Sequence, residues 1–279
     1  MHLLSVCIPT YEMSGLGAAF LKHSFDILTQ QTFRDFDVVI SDHSTTAVIR
    51  DVCAQYETAL RIRYFKNPHR IGNSPANTNN AISKATGRLI KILFQDDFLF
   101  GTRALETTVR SFDLQRHSWL VTASEHTKDD GATLCHPLFP RYHDRIHIGD
   151  NTISSPSVLT VKNDRPLRFD ENLILRMDCD YYKRCHAAFG APQIVNVITV
   201  VNRVGPHQLS ATMNSDSLKE REYEYLLKKY GEPHALRLLL RYKARRRINR
   251  LKRTVKQWLL GDRHGSSSRP TTAPHPERR

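Results

Sequence analysis

Two adjacent acids, Asp96 and Asp97, interrupt the apolar run KILFQDDFLF of residues 91–100. Burying an unpaired carboxylate is costly, so the pair either opens a solvated loop where a strand ends or meets a cation. A second acidic cluster, Asp178 and Asp180 in MDCDYYKRC, has helical character. Acids at i and i+2 point to different sides of a helix, so they cannot both face one substrate. The chain has 14 histidines, and His126, His136, His143 and His147 show no metal-ligand spacing. The stretch RIGN has one glycine and no following Gly-Lys-Ser/Thr, which excludes a P-loop. Five cysteines (Cys7, Cys53, Cys135, Cys179, Cys185) form no C-x-x-C pair. They point to a reduced chain without structural zinc.

The elements that must carry these groups alternate. Apolar, β-prone runs over 3–8, 36–41, 62–67 and 88–94 predict four strands. Helical spacing fills 16–31, 46–59 and 76–87, the last closing at Gly87 as a C-cap. Such alternation predicts an α/β fold, a mainly parallel sheet flanked by helices. Ligands of these sheets bind beyond the carboxyl ends of the strands. PTYE, DHST, NPHRIGNSPANTNN and QDD each follow a strand, so all four converge on one crevice. Further on, a helix is expected over 101–117 and a strand over 118–124. A polar, irregular stretch over 125–153 reads as a lid or acceptor loop. A strand over 155–163, a helix over 177–190 stopped by Gly190, and a strand over 193–205 complete the body.

The ordered segments SVCIPTYE, VVISDHST, NPHRIGNSPANTNNAISKATG, RLIKILFQDD, MDCDYYKRC and HQLS resemble a family 2 glycosyltransferase of GT-A, Rossmann-like fold over residues 3–212. The resemblance implies inverting transfer of a sugar from a nucleotide-diphosphate donor to an acceptor hydroxyl. It implies a Mg²⁺ or Mn²⁺ ion on the leaving diphosphate, held by Asp96, Asp97 and His207. By the same resemblance Asp178 is the catalytic base, while Asp180 and Arg184 are structural or acceptor-side. Pro9, Thr10, Tyr11, Glu12, Asp42, Arg70, Asn77, Gln95, Asp96, Asp97 and Ser210 contact the donor. Bland roles stand beside these: Pro9 ends a strand, Asp42 caps a helix, and Asn77 and Asn80 belong to a polar loop and helix cap. The sequence departs from the family pattern at Phe94, which replaces the first motif acid. Ser41 stands for the more usual Asp, Glu12 for Asn, and Met177 for Glu.

The net charge of +13 is unevenly spread. Residues 233–279 carry 14 Lys/Arg against Asp262 and Glu277, whereas 1–232 carry 27 basic and 26 acidic residues. The basicity is thus an appendage rather than a lining of the cleft, which speaks against nucleic acid as the partner. Within 234–260 there are ten Lys/Arg and no acid. Leu240, Ala244, Ile248, Leu251, Val255, Trp258 and Leu259 trace a narrow apolar stripe through them. This is the pattern of a basic amphipathic helix lying on an anionic membrane surface; a helix docked on the body or an RNA-binding arm shares it. No apolar run reaches bilayer-spanning length, and MHLLSVCIPTYE reads as a strand rather than a signal peptide. The expectation is a cytoplasmic enzyme, peripheral on the inner membrane face, with a glycan or lipid-linked acceptor. Four segments are expected: a nucleotide-sugar half (1–100), an acceptor half (101–215), a helical basic segment (216–262) and a disordered tail (263–279). A nucleotidyltransferase and a non-catalytic nucleic-acid-binding protein are the alternatives.

Overall fold

The computed structural model describes residues 2–208 and 215–261. Its chain divides into two compact units, 1–222 and 223–279. The first unit is built on a nine-stranded sheet of order β3-β2-β1-β4-β8-β6-β9-β5, with β7 paired to β6. The strands β1 (Leu4–Thr10), β2 (Phe36–Asp42), β3 (Ile62–Lys66) and β4 (Leu89–Ile92) form the expected parallel half. Every residue of β1, β2 and β4 is buried. That explains their nearly continuous apolar runs, since helices cover both faces of a parallel sheet.

The alternating helices are α1 (Gly17–Thr29), α2 (Val48–Tyr56) and α3 (Ser74–Lys84). Asn73 caps α3 by accepting the Ala76 N–H at 2.8 Å, and Pro75 occupies its first turn. The helix ends at Lys84, so Gly87 is not its C-cap. A Cβ on Gly87 would stand 2.6 Å from the Ser5 nitrogen and 2.7 Å from the Leu4 carbonyl carbon. The glycine therefore permits close approach to β1 rather than a left-handed turn. Pro9 does not end β1, which continues to Thr10. The β1–β4 pairing stops at Cys7–Ile92, so the missing N–H of Pro9 has no ladder partner to lose.

In the second half, the short β5 (Asp97–Leu99) leads to α4 (Ala104–Ser111), shorter than the 101–117 expected. The strands β6 (Trp119–Thr127), β7 (Leu134–Leu138), β8 (Leu159–Lys162) and β9 (Gln193–Arg203) follow. β8 runs antiparallel between β4 and β6, and β5 and β7 pair antiparallel with β9 and β6. Only β6–β9 is parallel in this half, so the complete sheet is mixed. β7 falls inside the stretch expected to be irregular. Each of its residues is exposed or half-buried, which leaves no buried apolar face to find. Helix α5 (Met177–Phe189) ends at Gly190, as expected; the φ of 77° there is a backbone conformation that favours glycine.

Helix α6 (Asp216–Lys229) begins in the first unit. Helix α7 (Ala235–Gly261) belongs to the second and carries the basic stripe. Among the described residues, no helix is long and apolar enough to cross a membrane.

Candidate active site

Because β1, β2 and β4 run parallel, their carboxyl ends meet on one side of the sheet. A crevice of about 360 Å³ opens there, lined among others by Pro9, Tyr11, Asn77, Gln95, Asp96 and Asp178. Six residues nominated from the sequence therefore share one wall system. Ser210 lies outside the described residues.

Gln95 fastens the loop after β1. Its carbonyl accepts the Tyr11 N–H at 2.9 Å, and its amide donates to the Gly17 carbonyl at 2.8 Å. A Cβ on Gly17 would meet the Tyr11 carbonyl oxygen at 2.2 Å, so only glycine lets α1 start this close to the crevice. Burial, then the neighbouring Asp96, push the Tyr11 hydroxyl above its ordinary pKa.

Other nominated side chains are committed elsewhere. Asp42 is fully buried: Oδ2 accepts from the Tyr64 hydroxyl at 2.6 Å, and Oδ1 from the Ser44 N–H at 2.9 Å and Thr10 Oγ1 at 3.3 Å. The residue that lines the crevice beside it is His43, which sequence reasoning passed over. Glu12 Oε1 accepts the Thr45 and Thr46 N–H groups and the Thr45 hydroxyl. Burial alone would raise that carboxyl, yet the Thr45 hydroxyl and these N–H groups outweigh it and hold its pKa low. Arg70 reaches Glu171 at 3.1 Å. Asn77 donates to the Thr10 carbonyl at 3.0 Å and accepts from Ser41 Oγ at 2.6 Å, while Asn80 donates to the same hydroxyl at 2.8 Å. Ser41 thus serves as the knot of a buried network joining β1, β2 and α3.

The two acids of the opening motif face different ways. Asp97 is buried, its Oδ2 accepting from Ser155 Oγ at 2.9 Å and Ser157 Oγ at 2.5 Å. Beneath it the fully buried Lys91 donates its Nζ proton to the Ser157 carbonyl. Desolvation pulls that ammonium's pKa down to about 7, partly offset by Asp97. Asp96 lines the crevice, its side chain 18% exposed. Burial first, then the charge of Asp97, push its carboxyl up to about 7. Arg203 opposes the rise: buried between Phe20 and Phe98, it donates to the Asp96 carbonyl at 2.9 Å and to Asp130 at 2.6 Å. Nε2 of His207 lies 3.7 Å from Asp96 Oδ2, buried and without a hydrogen-bond partner. Desolvation and the charge of Arg203 hold the His207 pKa below its ordinary value, favouring the neutral imidazole that a metal requires. No cluster of three or more His, Cys, Asp or Glu suited to a metal occurs among the described residues.

Asp178 sits in the first turn of α5. Its Oδ1 accepts the Cys179 N–H at 2.7 Å and its Oδ2 the Asn151 amide at 2.6 Å. Burial raises its pKa above the usual aspartate range. Asp180, fully buried, pairs with Arg184 at 2.8 Å, as its structural reading had it. Glu222 of α6 supports the entry to α5, taking N–H groups from Ile174, Leu175 and Arg176 at 2.6–3.2 Å. Nothing in the sequence singled out Glu222, Asn151, Lys91 or Arg203, because their partners lie between 27 and 107 residues away.

A mixed sheet with flanking helices, and a strand-end acid in a crevice, give the chain the GT-A architecture. The sequence profile of Glycosyl transferase family 2 matches residues 5–154, and the chain belongs to that family. It is 26% identical over 196 residues to an uncharacterized glycosyltransferase of Methanocaldococcus jannaschii. It is 28% identical over 111 residues to the GalNAc(5)-diNAcBac-PP-undecaprenol beta-1,3-glucosyltransferase of Campylobacter jejuni. These matches cover 66% and 39% of the chain but 65% and 34% of those relatives. Among solved structures, S. aureus TarS in complex with UDP-GlcNAc superposes with a TM-score of 0.61 at 16% identity, over 80% of this chain and 64% of that one. The mannosyltransferase PcManGT of Pyrobaculum calidifontis, in complex with GDP-Man and Mn²⁺, gives 0.56 at 17% identity, over 87% and 69%.

Proposed function

We propose that the chain transfers a sugar from a nucleotide-diphosphate donor to an acceptor hydroxyl with inversion, using Asp178 as the base. The observation that carries this reading is that Asp96 and Asp178 line the same crevice at the strand ends. Family membership sets a nucleotidyltransferase aside. The nucleotide side of the crevice is Pro9, Tyr11, His43, Asn77 and Gln95; Thr10, Glu12 and Asp42 act from behind by fixing the loops, as Asn77 also does through the Thr10 carbonyl. Arg70 serves the diphosphate only by leaving Glu171.

The residues fit a divalent cation. Asp96 supplies a carboxylate oxygen, and His207 supplies a buried nitrogen that has no hydrogen-bond partner. Mg²⁺ and Mn²⁺ sites of this type use one or two protein ligands and complete their shell with phosphates and water. When bound, the ion neutralises charge developing on the leaving diphosphate. Asp97 holds Asp96 in register through Ser155 and Ser157. The Mn²⁺ in the complex of the Pyrobaculum enzyme supports this reading.

The acceptor is proposed to be a glycan or a lipid-linked glycan, in line with the undecaprenol-linked substrate in the name of the Campylobacter relative. The C-terminal unit suits such an acceptor. Helix α7 exposes Leu236 (71%), Leu240, Ile248 and Leu251 (65%) amid cations. A basic helix with exposed apolar residues gains roughly 1 kcal/mol per Lys/Arg at an anionic leaflet. Removing 233–279 should therefore release the protein from phosphatidylglycerol vesicles at low salt; sedimentation that persists in the truncated chain would remove the helix from this role.

The donor site is tested by thermal stabilisation with nucleotide diphosphates and their sugars, with and without Mn²⁺. A stabilisation that requires metal and vanishes in Asp96→Ala supports the reading. One that is independent of both metal and Asp96 refutes the cation site.

A further inference from the structure

The loop that carries Asp96 is tied down before and after that residue, and both ties end on one serine. The Phe94 N–H donates to Ser157 Oγ at 2.9 Å, and Ser157 Oγ donates to Asp97 Oδ2 at 2.5 Å. Ser157 lies fully buried in the turn Pro156–Val158 that leads into β8. Ser155 caps this turn by accepting the Ser157 N–H at 3.3 Å, and its own hydroxyl donates to Asp97 Oδ2 at 2.9 Å. From the sheet, the ammonium of Lys91 on β4 fastens the turn by donating to the Ser157 carbonyl. We propose that Lys91 is a positioning residue for the donor's cation, setting through Ser157 where the Asp96 carboxylate stands in the crevice. The inference rests on the cation reading of Asp96.

Stability alone does not account for a lysine at this position. Every residue of β4 is buried, and Lys91 is fully so. Taking an ammonium out of water costs more than one hydrogen bond returns. Here desolvation pulls its pKa down to about 7, with Asp97 offsetting part of the fall. A folded pKa below the free value means that the charged form opposes folding. A methionine of similar length would fill the same space in the sheet without that cost. The fold therefore keeps a group that does not stabilise it, as proteins do where a site needs one.

The partner of the ammonium points to the same site. Directly across the β4–β8 ladder stands Thr160, on the same face of the sheet as Lys91. Its buried Oγ1 has no hydrogen-bond partner among the described residues. The ammonium is given to the serine turn rather than to this cross-strand neighbour. Arg203 holds the loop independently, donating to the Asp96 carbonyl at 2.9 Å while paired with Asp130 at 2.6 Å. Two buried cations thus fix the acid loop, one at the main chain of Asp96 and one at the turn that grips Asp97. Lys91 is sealed from the crevice, so it acts only through what it bonds.

The experiment is thermal stabilisation of the full chain by UDP or GDP, titrated with Mn²⁺, in wild type, Lys91→Met, Ser157→Ala and the double variant. The Mn²⁺ concentration giving half of the stabilisation should rise about tenfold or more in each single variant. In the double variant it should stay within about twofold of the weaker-binding single variant, because both act along one path. Tm without ligand should not fall in Lys91→Met, which sheds the buried ammonium. A merely structural lysine would show the reverse, a lower Tm with an unchanged Mn²⁺ midpoint, and that result overturns the proposal. Effects that add in the double variant overturn it too. Should Lys91→Met not fold, Ser157→Ala still reads the path, and a midpoint within about twofold of wild type there refutes it. Failure of the cation reading shows separately, as wild type that UDP and GDP stabilise without Mn²⁺ or not at all.

Discussion

Replacing Asp178 by Asn changes one atom and separates chemistry from architecture. Each carboxylate oxygen accepts one N–H, from Cys179 N–H and from Asn151 Nδ2. An asparagine offers one carbonyl, so one of those donors must face an NH₂. Asn151 cannot flip to compensate, because its Oδ1 already takes the Ile153 and Ser154 N–H groups at 3.0 and 3.1 Å. The lost bond costs about 1–3 kcal/mol. Relief from burying a charge whose pKa is already raised offsets part of that, and the variant should stay folded. Loss of the base should lower kcat by about 10²–10⁴, or roughly 3–5 kcal/mol of transition-state stabilisation. The assay is release of nucleotide diphosphate with acceptor present, run beside thermal stabilisation by the nucleotide. A kcat within about tenfold of wild type would refute the role of base. Loss of nucleotide binding would move Asp178 to the donor site.

Three further outcomes follow from the same geometry. If Asp178 is the base, activity requires its ionised form, so the acid limb of kcat/KM should lie above the ordinary aspartate range; Asn151→Asp puts a second carboxylate against it and should move that limb up by about one pH unit or more, as a pH profile would read. Glu222→Ala leaves three N–H groups before α5 without their acceptor and should cost about 3 kcal/mol in urea unfolding, with Glu222→Gln recovering part of it. Gly87→Ala drives a methyl into the β1 backbone and should destabilise by about 3 kcal/mol or more, seen as a lower Tm or loss of soluble protein.

The parallel half of the fold was legible because buried strands write themselves as apolar runs, and their turns as Pro, Gly and Asx clusters. β7 and the antiparallel pairings were not, since an exposed edge strand carries no periodic signal and ladder direction depends on partners far along the chain. The positions of Asp96, Tyr11, Gln95 and Asp178 beside one crevice were legible, because their segments turn into it. Asp42 keeps the family position, and its carboxylate accepts from Tyr64, Ser44 and Thr10, which no motif could show. A motif fixes where a residue stands on a strand end; only packing decides which way its side chain is used.

That distinction also accounts for the departures from the family pattern. With serine at 41, a hydroxyl both donates to Asn77 and accepts from Asn80, which a carboxylate could not do in its ionised state. With phenylalanine at 94, the chain keeps the backbone N–H that donates to Ser157 Oγ at 2.9 Å. Ser157 in turn donates to Asp97 and receives Lys91. The scaffold that holds the acid pair is therefore built from main chain, serines and a buried lysine, none of which depends on the replaced acid. What Phe94 changes is the lining of the crevice at the strand ends, not the scaffold that holds Asp96 in place.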